Sequence, residues 1–153
     1  MIVAWRLEKK KYEADAMKGE AARQYPGRWN SLDVPMVYTC GAASLAVLEV
    51  RVHVGPEGEG IPYALFRIEI AGNLIKSVSG RSLPPDWRQN PPPSSTQMLG
   101  ARWAKNCDSA VLRVPSVIVP DEFNYLINPL HKDYSKIKKI TKQDYFLDSR
   151  LWK

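Results

Sequence analysis

The sequence predicts a single α+β domain with a mixed or antiparallel sheet, and three observations support it. Runs such as IVAWRL, YALFRIEIA and VLRVPSVIV concentrate β-branched and aromatic residues in strand-length blocks. The stretch from Ala42 to His53 changes to the three- and four-residue spacing of an amphipathic helix. Strands and helices do not alternate in regular βαβ order, which argues against a doubly wound parallel sheet. A length of 153 residues suits one domain, 1–153, with its own core.

Taken in order, residues 2–7 read as a first strand, followed by a polar, partly helical stretch to Tyr25. Pro26-Gly27 marks a turn, and 34–40 reads as a second strand. Ala42, Leu45, Ala46, Glu49 and His53 share one helix face. Gly55, Gly58 and Gly60 mark a loop before a strand at 63–71. Residues 72–93 read as loop, ending in three stiff prolines. Ser94 with Gln97 predicts a capping box opening a helix to about Asn106. On that helix Thr96, Leu99, Gly100 and Trp103 share a face, and Gly100 permits close backbone approach. A buried strand at 111–119 is broken by Pro115, residues 121–131 read as a loop, and a last strand falls within 137–148.

Composition bounds the function. The hydrophobic fraction of 44% and aromatic fraction of 10% are those of a folded globular protein. No apolar run approaches membrane-spanning length, and charge appears soon after Leu7, so neither a membrane segment nor a secretory leader is expected. Cys40 and Cys107 provide neither a disulfide framework nor metal-ligand spacing, so a reduced, cytoplasmic protein without a metal is expected. Lys and Arg outnumber Asp and Glu by 22 to 16, a charge of +6 that favours polyanionic company. The excess gathers at Lys9, Lys10 and Lys11 and between His131 and Lys142, where a merely solvated face is the simplest reading. Zinc-finger spacing, ribonucleoprotein aromatics and an evident recognition helix are all missing, which counts against direct DNA reading. Dinucleotide G-x-G-x-x-G, P-loop, H-E-x-x-H and G-x-S-x-G patterns are missing as well.

Six residues are candidates for chemistry. Glu49 sits one helical turn beyond Leu45 and Ala46, both core-facing types. Either it is satisfied by His53 or an arginine, or it is a carboxylate held at the floor of a cleft. Arg28, in the GRWN turn, is either an exposed turn arginine or a planar fork for phosphate oxygens. Arg6 lies inside the first strand, where a charge needs a partner or a ligand. Tyr38 is either core or a ring for stacking on a heterocycle. Ser116 either bonds local backbone or orients a ligand hydroxyl or Glu49. Asn124 either holds a loop or reaches a ligand.

Together, WRL near the start, GEAAR with GRWN, VPMVY, AVLEVRVH, LPPDWR, STQMLGARWA, VLRVPSVIVPDEFNYLINPLH and FLDSRL resemble the RES domain, named for arginine, glutamate and serine, in the family's order over nearly the whole chain. Pro26 stands where the family often has a glycine, and SLDVP lacks another, both in the turn carrying Arg28. The resemblance implies a fold similar to ADP-ribosyltransferase toxins and consumption of NAD as substrate. It implies Arg28, Glu49 and Ser116 as the catalytic set, with Arg6, Arg28, Tyr38 and Asn124 binding the dinucleotide. It also implies an Xre-type helix-turn-helix antitoxin as partner in a hetero-oligomer, with operator DNA reached only through that antitoxin. The chemistry would be cleavage of the nicotinamide–ribose bond with water, phosphate or a protein side chain as acceptor. Two other classes remain open from the basic charge: a ribonuclease-like toxin, and a non-catalytic basic binding module.

Overall fold

A computed structural model describes all residues, Met1–Lys153. The strands are β1 (Ile2–Lys9), β2 (Val37–Cys40), β3 (Pro62–Ile70), β4 (Ile75–Ser77), β5 (Val111–Pro115), β6 (Phe123–Ile127) and β7 (Ile140–Phe146). They form one seven-stranded sheet in the order β4-β5-β6-β2-β1-β3-β7. Only the β4–β5 pair is parallel; the other ladders are antiparallel, as the sequence predicts for a mixed α+β sheet. Three α-helices accompany it: α1 (Glu20–Gln24), α2 (Ala43–His53) and α3 (Ser94–Lys105). No helix is long and apolar enough to cross a membrane.

Side-chain alternation along the strands builds a core on each face of the sheet. Val111 and Ile127 join Val37, Phe66, Ile68 and Ile70 on one side. Leu112, Val114 and Leu126 turn to the other and meet Ala101, Trp103 and Ala104 of α3, with Trp29 and Met36. Helix α2 packs its Leu45 and Ala46 on Leu7 and Leu65, the face its spacing predicted.

The feature that positions the site is a weak seam. β1 and β3 pair along their whole length, but β1 and β2 meet at one register pair, Trp5 with Cys40. The sheet therefore opens beside β2, and Arg6 spans the gap by donating from Nη1 to the Tyr38 carbonyl at 2.9 Å.

Several expectations change. Residues 121–131 are not a loop: β6 lies within them, between β5 and β2 and buried on both faces. β4 falls in the expected loop 72–93, too short at 3 residues to show any period. The capping box of Ser94 and Gln97 does not form, because Pro93 is the N-cap residue and offers no side-chain acceptor. Gln97 instead donates from Nε2 to the Gly27 carbonyl at 3.1 Å. The strand at 111–119 stops at Pro115, leaving Ser116 in the following turn. The lysines of the basic run lie at the surface and form ion pairs there, among them Lys142–Glu13 at 3.3 Å and Lys136–Asp133 at 2.9 Å.

Candidate active site

A cleft of about 880 Å³ opens at the seam, between β1, the turn after α1, β2, α2 and the loops at 88–92 and 117–118. That volume lies in the range, roughly 300–1,000 Å³, that accepts small molecules and cofactors.

The turn carrying Arg28 is built around Asn30, which is fully buried. Its Oδ1 accepts from the Gly27 amide at 2.8 Å and from the Tyr38 hydroxyl at 2.6 Å. Its Nδ2 donates to the carbonyls of Ala22 at 2.7 Å and Val34 at 3.1 Å. The Tyr38 hydroxyl also accepts from the Trp29 amide at 3.0 Å. A side chain at position 27 would stand 2.8 Å from that hydroxyl, so glycine is required for the approach. Burial raises the Tyr38 hydroxyl far above its usual range and keeps it neutral. Helix α3 lies over the same turn: a Cβ on Gly100 would fall 1.7 Å from the Trp29 carbonyl oxygen.

Arg28 itself points Nη1 at two carbonyls, Trp87 at 2.9 Å and Gln89 at 2.5 Å. Burial pulls its pKa below the ordinary arginine value, and the Glu49 charge pushes the other way. Thus Arg28 lines the cleft and also ties the loop at 87–89 to the turn.

Glu49 sits on the cleft-facing side of α2 with its side chain 26% exposed. Asn124 donates from Nδ2 to its Oε1 at 3.3 Å. The same Nδ2 reaches the Thr39 carbonyl at 3.3 Å; two oxygen acceptors on one side fix which end of the amide faces them. His53 Nε2 stands 3.8 Å from the other Glu49 oxygen. Burial raises the Glu49 carboxyl above the usual value, and Asn124, His53 and Arg28 each draw it back.

Five of the six candidates, Arg6, Arg28, Tyr38, Glu49 and Asn124, line this one cleft. Arg6 does so as a paired charge, with Nη2 on Glu8 at 2.9 Å and its buried Nε without a partner. Ser116 is the exception. It is buried outside the cleft wall, and its hydroxyl accepts from the amides of Ile118 and Val119 at 3.1 Å each. This is the local backbone bonding that was one of its two readings, and the turn it builds presents Val117 and Ile118 to the cleft.

Sequence reasoning missed Asn30, Arg88 and Asn90. Asn30 carried only the signal that Asn favours turns. Arg88 and Asn90 lie in a loop with no periodicity, and they line the cleft beside carbonyls that Arg28 holds. Chemically, the site offers a partly desolvated carboxylate, a fixed amide donor, guanidinium groups and aromatic walls. Such a set can stabilise positive charge beside an anionic ligand.

The fold recurs among solved structures. A chain of the Mycobacterium tuberculosis MbcT–MbcA toxin–antitoxin complex matches with a TM-score of 0.74 at 18% identity, over 99% of this chain and 86% of that one. In sequence, the chain is 40% identical over 153 residues to "Toxin Res" of Photorhabdus laumondii, covering 99% of this chain and 98% of that protein. It is 36% identical over 152 residues to the "Prs ADP-ribosylating toxin" of Sphingobium sp., covering 96% of this chain and 94% of that protein. Residues 3–148 match the RES domain, and the chain belongs to the RES domain family.

Proposed function

We propose that this chain is the NAD-consuming toxin of a toxin–antitoxin pair. One observation carries the reading: a partly buried Glu49 carboxylate, held by the Asn124 amide, shares a cleft with Arg28 and the Tyr38 ring. The Sphingobium relative named an ADP-ribosylating toxin supports the choice of NAD, and the pairing of toxin with antitoxin in the M. tuberculosis complex supports a partner.

Breaking the nicotinamide–ribose bond sends the bonding pair to the pyridinium nitrogen, which becomes neutral, while positive charge develops on the ribose. An ionised Glu49 beside that ring stabilises the charge as it forms. In a water-poor cleft, preorganised charge of this kind is worth several kcal/mol. Asn124 holds the carboxylate in position. Tyr38 supplies a flat wall for the nicotinamide. The anomeric carbon is then taken by an oxygen of water, of phosphate, or by a protein side chain. The partner we propose is an Xre-type helix-turn-helix antitoxin that covers the cleft, contacts operator DNA itself and forms a cytoplasmic hetero-oligomer with this chain.

The test is to incubate the purified chain with NAD, with and without phosphate, and follow free nicotinamide. Wild type is expected to release it and Glu49→Gln to lose the activity while melting as a folded protein. Undiminished release by Glu49→Gln would remove the carboxylate from the chemistry. RNA cleavage without NAD loss would favour a ribonuclease instead.

A further inference from the structure

Three arginines line the cleft, and two of them are engaged by the protein. Arg6 is bound to the Tyr38 carbonyl and paired with Glu8. Arg28 places Nη1 on the carbonyls of Trp87 and Gln89. Arg88 is different. It makes no hydrogen bond or ion pair to the protein; its exposed guanidinium lies over the Trp87 ring, 4.7 Å from the centroid.

The loop beneath it is held firmly. Trp87 donates its amide to Pro84 at 3.1 Å and Gln89 to Asp86 at 3.0 Å. The Asp86 carboxylate accepts from the Ser95 hydroxyl in the first turn of α3. Arg28 closes the arrangement by bonding the Trp87 and Gln89 carbonyls directly. A guanidinium stacked on an indole is already restrained, so less side-chain freedom is lost when its planar fork meets two phosphate oxygens. None of its donors has a protein acceptor to displace, whereas Arg6 and Arg28 each have protein acceptors on part of their fork.

We propose that Arg88 is the residue that grips the pyrophosphate of the dinucleotide, and that Arg28 serves chiefly as the clasp holding the Arg88 loop against the cleft. The assignment rests on the NAD reading and refines it. It transfers to Arg88 a role that the sequence motif alone would give to Arg28. Arg88 thereby selects for substrates with a pyrophosphate rather than for nicotinamide alone.

Binding is measured in the Glu49→Gln background, where turnover is removed, by calorimetry with NAD at low and high salt. Position 88 is compared as Arg, Lys and Gln; Gln keeps a planar end for Trp87, and melting curves check the fold. NAD affinity is expected to fall in the order Arg, Lys, Gln, with Arg88→Gln weakened about tenfold or more, near 1.4 kcal/mol. The salt dependence of binding should flatten in the same variant, because one charge–phosphate contact is lost. An Arg88→Gln affinity within about twofold of the parent, or an unchanged salt dependence, overturns the assignment while leaving the NAD reading intact. Failure of the wild-type chain to release nicotinamide, with no NAD binding in any of the variants, overturns both.

Discussion

At the scale of single residues, the site is a balance of burial against charge, and Glu49 shows it best. Its carboxyl is raised by desolvation and lowered by Asn124, His53 and Arg28, with desolvation the largest influence. A carboxyl raised in the folded state binds its proton more tightly there than in the unfolded chain. The stability this confers is complete below the usual carboxylate value and is lost as pH rises through the raised one. Glu49→Gln is therefore expected to melt above wild type at neutral pH, with the difference shrinking as pH falls through the raised value and levelling off below the ordinary carboxylate one. Paired melting curves across that range check it, and a constant difference would contradict it. By the same shift, the acid limb of kcat/KM for NAD loss is expected above the ordinary carboxylate pKa. Asn30 shows the opposite kind of residue. It is fully buried and not among the residues lining the cleft, yet its amide satisfies the turn that carries Arg28.

Between elements, the decisive contact is the crossing of α3 over the GRWN turn. Gly100 brings the helix backbone so near the Trp29 carbonyl that a methyl group would overlap it. Backbone on both sides leaves no flexible side chain to yield. Gly100→Ala would ordinarily favour a helix by up to about 1 kcal/mol. Here it is expected to destabilise by roughly 1–3 kcal/mol, the usual cost of overpacking, and to reduce NAD turnover by displacing Arg28. Denaturant melts with a parallel activity assay decide the matter; a stabilised, fully active Gly100→Ala would show that the two elements are not held this closely. The glycine was legible in the sequence as a place for close approach, but not what it approaches. The Ser94–Gln97 pattern was legible too, and misled: it sits one residue inside the helix, after a proline that takes the cap.

For the whole molecule, many of the basic residues are held in surface ion pairs, as in Lys10–Asp144 at 2.6 Å and Lys139–Glu69 at 3.6 Å. Exposed pairs of this kind contribute little to stability and are screened by salt. Lys142→Ala is accordingly expected to change stability by less than about 1 kcal/mol, and by less still in high salt. A loss of several kcal/mol in denaturant melts would mean the pair with Glu13 is buried in some larger assembly. The weak seam between β1 and β2 matters more than the surface charge, since it makes room for the cleft in an otherwise continuous sheet.

The sequence by itself determined the α+β class, the helix face that carries Glu49, the turn that carries Arg28, and the family. These depend on local periodicity, turn chemistry and ordered motifs, which are properties of neighbours in the chain. Only the tertiary structure decided that 123–127 is a central strand, because its backbone ladders come from β5 on one edge and β2 on the other. The same holds for Ser116, turned to its own backbone, and for Arg88, whose loop Arg28 bonds from 60 residues away (88 minus 28) in the chain. Which polar groups lack a protein partner is settled by distant segments meeting in space, and no local pattern encodes it.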